Sequence, residues 1–401
     1  MAAATILETR HNFADVGGFL IERNDGLGKK VIISGGGRCN VTTGIQDVRV
    51  VLTKYPRGGK FLSKAIYNFP PEDVYAWFES HGVPLKTEED LRVFPQSDNG
   101  KDIVGVFENL FRSSNVEVLL KHSVESIQKT GDGFLLNFVD NGTLEVDAVI
   151  LTTGGQAYRQ TGSKGDGYAF ALSLGHTITK LAPSLNAFFT RETWPAEVSG
   201  LSFEKAEFRT KRVKSYSFTG PFLFTHKGVS GPAVFALSSQ VAFENYDSRE
   251  PLKIEIDLFP DETTEGLVGN IQEKIALVSK KSLSNALALV VPKSLIEIML
   301  RELNIDGGAH AAEVGKNILT RCAGWLKAIP LNVVARGAGD EFVTAGGVSL
   351  DEVDPQTMES KICPGLYFAG EILDIDGYTG GFNLQASWAT GRLAGMNAGK
   401  G

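Results

Sequence analysis

The stretch from Gly365 to Gly391, GLYFAGEILDIDGYTGGFNLQASWATG, limits what this 401-residue chain can fold into more than any other. Its apolar opening, Leu366-Tyr367-Phe368-Ala369, predicts a short buried strand that ends at Gly370. The carboxylates Glu371 and Asp374 follow, and then a glycine-rich turn closes at Gly380-Gly381. Glycines let a backbone press against a ligand, and their amides can face an anion or a carbonyl with no Cβ in the way. A helix is predicted to start near Asn383, carrying Ala386, Ser387, Ala389, Gly391, Ala394 and Gly395, small residues suited to close packing against a sheet. Its free first-turn amides and partial positive charge would face whatever the glycines hold.

Elsewhere the chain is ordinary in ways that exclude alternatives. Hydrophobic residues make up 42% and charged residues 22%, as in a soluble globular protein long enough for two or three domains. The net charge of −7 disfavours a nucleic-acid partner. No apolar run approaches the length that crosses a bilayer. Cys39, Cys322 and Cys363 have neither metal nor disulfide spacing, so a reducing cytoplasm is the expected compartment.

Two earlier segments match the closing one in character. Phe19-Leu20-Ile21-Glu22 predicts a strand ending on an acid, and in dinucleotide-binding folds an acid there takes the ribose hydroxyls. After a strand-like apolar run, SGGGRCN at Ser34–Asn40 places three glycines beside Arg38, Cys39 and Asn40. Cys39 has no second cysteine nearby to resolve it, so it is expected to be a packed thiol. The buried run VDAVIL then leads into Thr152-Thr153-Gly154-Gly155. Helices are predicted within residues 60–112, with His81 as a helix-end residue. Strands are predicted over 115–150, with hairpin turns at Gly131-Asp132-Gly133 and Asn141-Gly142.

Together with TAGGV at Thr344–Val348, these segments resemble the YhiN/BaiN-like family of FAD-dependent oxidoreductases, which includes enzymes named as aminoacetone oxidases. The resemblance runs from the first residues to the last. It implies FAD as cofactor, with Gly370, Glu371 and Asp374 on the ribityl–pyrophosphate arm and Gly381, Asn383 and Leu384 beside the ring. It places Lys30, Ser34, Gly35, Gly36, Arg38 and Asn40 along the flavin, and Thr153, Gly154 and Gly155 in a turn passing under it. Val124 would meet the adenine. The family's opening strand and G-x-G-x-x-G turn would precede Met1-Ala2-Ala3, so the chain is expected to lack them and to carry an unpaired slot in its sheet.

The fold class expected is α/β: a Rossmann-like FAD-binding domain of the two-dinucleotide-binding type, interrupted by an inserted β-rich plus helical domain. The FAD-binding part spans 1–186 and 341–401, a β-rich substrate domain 187–260 and 330–340, and a helical subdomain 261–329. The substrate is expected to be a small molecule taken up between the inserted domain and the flavin, with NAD(P)H an open choice of electron partner. His226, in the turn Thr225-His226-Lys227-Gly228, reads first as a hydrogen-bonded turn residue, and it is also one of the few titratable candidates for proton transfer. The basic run Arg209, Lys211, Arg212 and Lys214 reads as a solvated strand face. No catalytic residue and no metal site is assigned. A remnant with weak or no FAD binding and a flavin-dependent tRNA-modifying enzyme are the alternative readings.

Overall fold

Pro71 at the start, acids in the first turn and Gly82 just past the end bound one amphipathic helix, and similar signals bound most of the others. A computed structural model describes residues 1–9, 17–211, 215–337 and 341–398. The chain divides into two compact units, Met1–Ser184 with Glu341–Gly401, and Leu185–Asp340 between them.

In the first unit, helix α1 (Ala2–Thr9) precedes strand β1 (Gly18–Glu22), helix α2 (Lys29–Ile33), β2 (Thr42–Thr43), α3 (Val48–Leu52), α4 (Ser63–Asn68) and α5 (Pro71–Ser80). Then come β3 (Leu85–Thr87), β4 (Arg92–Pro95), α6 (Gly100–Arg112), β5 (Val116–Leu120), β6 (Val124–Thr130), β7 (Gly133–Phe138), β8 (Thr143–Val146), β9 (Val149–Leu151), α7 (Asp166–Ser173) and β10 (Ala182–Ser184). Strand β1 pairs parallel with β5, from Gly18 opposite Val116 to Glu22 opposite Leu120. Strands β6, β7 and β8 form an antiparallel meander whose first turn holds Gly131 and whose second holds Asn141.

The inserted unit begins with β11 (Phe188–Thr190), β12 (Ser202–Lys211), β13 (Ser215–Thr225), β14 (Gly228–Ser230), α8 (Pro232–Gln240) and β15 (Leu252–Asp257). Four helices follow, α9 (Thr264–Leu277), α10 (Leu283–Leu287), α11 (Lys293–Leu303) and α12 (Lys316–Lys327), before β16 (Ile329–Arg336). The six strands close into an antiparallel barrel ordered β11-β14-β13-β12-β15-β16. Closure removes the open edges a sheet would otherwise expose. Phe188, Phe208, Phe222 and Phe224 are fully buried in this unit's core, and Phe222 meets Phe208 edge to face with centroids 4.9 Å apart. At the end of β15 the buried Asp257 accepts from Lys327 at 2.8 Å and Arg209 at 3.2 Å. A lone carboxylate would be costly there, and the two cations offset its desolvation. Arg209 is therefore a paired residue, not a solvated one; Arg212 and Lys214 of the same basic run lie outside the described residues.

The chain returns to the first unit as β17 (Val343–Ala345), which pairs antiparallel with β10, then β18 (Leu366–Phe368) and α13 (Phe382–Asn397). Strand β18 pairs parallel with β9, so β1–β5 and β9–β18 are two separate parallel pairs. Two expectations need correcting. The strand-like run before the three glycines is helix α2, because its apolar side chains pack on α6 rather than in a sheet. The small residues of α13 serve mainly a helix: a Cβ on Gly391 or Gly395 would meet the backbone of Ala2 in α1. Among the described residues, no helix is long and apolar enough to cross a membrane.

Past α7 the His176 side chain is fully buried, with Nδ1 3.2 Å from Glu352 Oε2 and Nε2 2.8 Å from Ser360 Oγ. Burial lowers its pKa, against the opposing pull of Glu352. The folded state thus favours neutral imidazole. That preference adds its full stability above the unfolded pKa of about 6.5 and is lost as pH falls from there toward the lower folded value. The variant His176→Phe removes one hydrogen-bond partner each from buried Ser360 and half-buried Glu352, which keep backbone amide donors, and should cost about 0.5–1.5 kcal/mol at pH 8. Urea unfolding at several pH values should show the gap to wild type narrowing below about pH 6.5. A constant gap would mean that His176 does not titrate in that window.

Candidate functional site

The motifs that sequence reading treated separately meet at Glu371. After β18, residues Gly370 to Ile372 form a 3-10 turn, tied to α13 by the Gly370 amide donating to Thr390 Oγ1 at 3.0 Å. Glu371 Oε1 accepts from the Thr344 amide at 2.9 Å, and Oε2 pairs with Lys30 from α2. Thr344 Oγ1 in turn accepts from the Gln156 amide at 2.7 Å. Gly155 sits inside this junction: a Cβ there would lie 2.5 Å from Thr344 Oγ1 and 2.9 Å from Glu371 Oε1. Gly154 has a left-handed φ of 71° and packs on Ser163. Helix α7 joins from the other side, since any side chain at Gly167 would overlap the Thr153 hydroxyl. The segments TTGG, TAGGV and AGE therefore converge, with Lys30 as their cation.

A second polar cluster lies just beyond. Asp376 is buried, paired two-pronged with Arg57, and accepts from Ser184 Oγ at 2.9 Å. Burial pushes its carboxyl above the usual range, against the pull of the Arg57 guanidinium. Asp374 is raised as well, by burial first, with Thr179 and Arg57 pulling it down. Its Oδ1 is buried and has no hydrogen-bond partner among the described residues. The same holds for the hydroxyl of Tyr168 in α7, whose phenol is raised by burial and then by the charges of Glu371 and Asp374.

The N-terminus of α13 is clamped by the segment after the three glycines. Gly381 caps the helix with φ 89°, and a Cβ there would overlap the Thr42 carbonyl oxygen, so only glycine fits. Asn40, with its amide oriented to satisfy both neighbours, accepts from the Gly381 amide at 2.9 Å and donates to Thr42 O at 3.1 Å. Thr42 Oγ1 donates to the buried Gln385 at 2.6 Å, Trp388 Nε1 donates to Val41 O at 2.9 Å, and Leu384 is half-buried. Asn383 clasps both polar groups of the Gly377 backbone at 2.8 Å, so its side chain closes the glycine loop.

The remaining expected residues fall into two groups. Gly35 and Gly36 adopt left-handed φ of 58° and 72°, and Ser34 Oγ donates to Val31 O at 2.7 Å. Arg38 turns to the β3–β4 hairpin, stacking 3.8 Å over Phe94 and pairing with Glu88 at 2.6 Å and Asp98 at 3.3 Å. Cys39 is fully buried, and burial pushes its thiol up to about 12. At the other group, Glu22 Oε1 accepts from the Asn24 backbone and side-chain amides, both at 2.8 Å. The His122 amide donates to Glu22 O at 3.1 Å, which brings Glu22 near the start of β6 at Val124. His226 lies in the β13–β14 turn of the inserted unit. Sequence reading missed Arg57, Tyr168, Ser184 and Asp376; Asp376 stands within the closing motif itself, but burial of a polar group leaves no local signature.

The HI0933-like protein Rossmann domain family matches residues 1–397. A Clostridium scindens protein named 3-dehydro-bile acid delta(4,6)-reductase is 30% identical over 385 residues, covering 95% of this chain and 92% of the relative. An Escherichia coli protein named ribosomal RNA dihydrouridine synthase is 28% identical over 382 residues, covering 92% and 89%. A quinol–fumarate reductase structure aligns with 99% of this chain and 68% of its own at 13% identity and a TM-score of 0.47. The chain belongs to the HI0933-like family, the YhiN/BaiN-like flavoproteins that its motifs resemble, with a Rossmann-type FAD-binding domain and an inserted β-rich domain.

Proposed function

We propose that this FAD-dependent oxidoreductase reduces a carbon–carbon double bond conjugated with a carbonyl group in a small organic molecule. The observation that carries the cofactor part is the convergence of three glycine-bearing loops on Glu371, beside two buried polar atoms with no partner among the described residues. Such atoms are costly unless a ligand meets them. In this reading Glu22 takes the ribose hydroxyls and the backbone near Val124 meets the adenine. Thr153, Gly154, Gly155, Gly370, Glu371 and Asp374 hold the ribityl–pyrophosphate arm. Lys30, Ser34, Gly35, Gly36 and Asn40 line the flavin, with Arg38 contributing through its main chain. Gly381, Asn383 and Leu384 set the first-turn amides of α13 beside the ring, where their partial positive charge favours an electron-rich group.

Bound FAD supplies two-electron chemistry. The chain's own part is to hold: Glu371 is fixed by Lys30 and the Thr344 amide, so that it presents a rigid acceptor. The substrate class is supported by both relatives' names. A delta(4,6) double-bond system in a 3-dehydro acid and the uracil ring of uridine each place a carbon–carbon double bond in conjugation with a carbonyl. Reduction adds a hydride to one carbon and a proton to the other, with NAD(P)H as the ultimate donor.

The test is anaerobic. Protein loaded with FAD and reduced by NADPH, NADH or titrated dithionite is mixed with a 3-oxo-4-ene steroid acid while the flavin absorbance is followed. The band should return with the unsaturated acid and not with its saturated 3-oxo analogue, and the product should gain two hydrogens by mass spectrometry. Reoxidation by dioxygen alone, with a small amine able to reduce the flavin, would replace this reading with an amine oxidase. Reduction of uridine in RNA is a second reading, favoured by the E. coli relative's name and disfavoured by the net charge of −7. Reoxidation by ribosomal RNA alone, steeply salt-dependent, would select it.

Replacing Glu22 with Ala should weaken FAD about 10- to 100-fold, the range expected for a lost charge-assisted hydrogen bond. Fluorescence titration of cofactor-free protein measures this, and an unchanged dissociation constant would make Glu22 only the local partner of Asn24.

A further inference from the structure

Tyr168 stands in no glycine motif, and its neighbours explain its backbone but not its hydroxyl. The residue is 4% exposed, and its Oη is buried with no hydrogen-bond partner among the described residues. The hydroxyl is kept although unbonded, a state that burial makes unfavourable. Its surroundings narrow what could meet it. Gly167 next to it presses on Thr153 and Ile372, so this turn of α7 abuts both the TTGG loop and the turn after β18. Glu371 and Asp374 both act electrostatically on the phenol, and Asp374 Oδ1 is itself buried and unpartnered.

We propose that Tyr168 is a cofactor-binding residue, its phenol donating a hydrogen bond to a hydroxyl of the ribityl arm of FAD. The proposal rests on the function argued above. The ligand class follows from charge and from counting donors. The charges of Glu371 and Asp374 act on the phenol and disfavour a phosphate at this point of the arm, so the partner here is its neutral, ribityl part. Tyr168 supplies a donor and Asp374 Oδ1 an acceptor; a polyol, whose hydroxyls each accept and donate, can satisfy both. A carbonyl could serve only the first, and an amine only the second.

The signature of this role is a pair of effects with opposite signs, which a structural hydroxyl would not give. In cofactor-free protein, Tyr168→Phe removes a desolvated group with no partner, so the melting temperature should stay level or rise by about 1–3 °C. In the same variant the FAD dissociation constant should rise about tenfold, as for one lost neutral hydrogen bond in a dry site. Asp374→Ala, which removes the acceptor, should raise the dissociation constant by a similar factor. The double variant should bind little worse than the weaker single variant if both side chains serve neighbouring hydroxyls of one arm. Fluorescence titration with FAD and thermal unfolding of cofactor-free protein are the two readouts. An unchanged dissociation constant in Tyr168→Phe, with wild type binding FAD normally, overturns the proposal and leaves the function standing. A melting temperature several degrees lower without cofactor also overturns it, because the hydroxyl would then have a protein partner. Wild-type protein that takes up no FAD overturns the function and this proposal together.

Discussion

The Glu371 carboxylate is the tie on which the first unit's glycine-bearing loops depend. One oxygen is held by the Thr344 amide and the other by Lys30, so a single side chain fixes β17, α2 and the turn after β18. The pair is largely shielded from water, which strengthens both bonds and makes either partner costly to lose alone. Gly155 is then forced, because the space its side chain would need is filled by Thr344 and Glu371. Gly155 is thus a consequence of one carboxylate's position.

From that tie the rest of the unit follows in layers. The turn at Gly370 is bonded to Thr390, which fixes the register of α13 against β18. The helix start is then clamped by Asn40, Thr42 and Val41, and stiffened from beneath by the stacked rings of Phe107 and Trp388, 5.8 Å apart. Residues near positions 40 and 385 are distant in the chain but meet because Gly381 lacks a Cβ and the Thr42 carbonyl can approach it. A rigid scaffold of this kind positions amides without reorganisation at the moment a ligand arrives.

How much of this could be read from the sequence depended on whether the cause was local. The α13 start, the hairpin turns at Gly131 and Asn141 and the packed Cys39 were legible because glycine, asparagine and apolar spacing act within a few residues. The run Lys30–Ser34 misled, because β-branched Val31, Ile32 and Ile33 favour a strand by propensity while the α6 surface favours a helix. The barrel's closing pair, β11 with β16, joins the two ends of the inserted unit, and no window of sequence contains both. Arg209 looked like a solvated cation since its partner Asp257 is on another strand. Arg57 and Asp376 escaped for the same reason.

The polar groups of the site sort into two kinds, and the sorting says more than their residue types. Arg38, Asn383, Lys30 and Asp376 are all chemically able to bind a ligand, yet each has its strongest bonds inside the protein. Their side chains shape loops. Asp374 Oδ1 and Tyr168 Oη are the reverse, buried beside the same loops with no hydrogen-bond partner among the described residues. Folding alone would select against both, because an unmet buried polar atom costs free energy that an apolar substitute would not. Beside a fully bonded framework, these two are the atoms that a ligand could complete. The framework is satisfied so that it stays still, and the unsatisfied atoms are where binding energy can be gained.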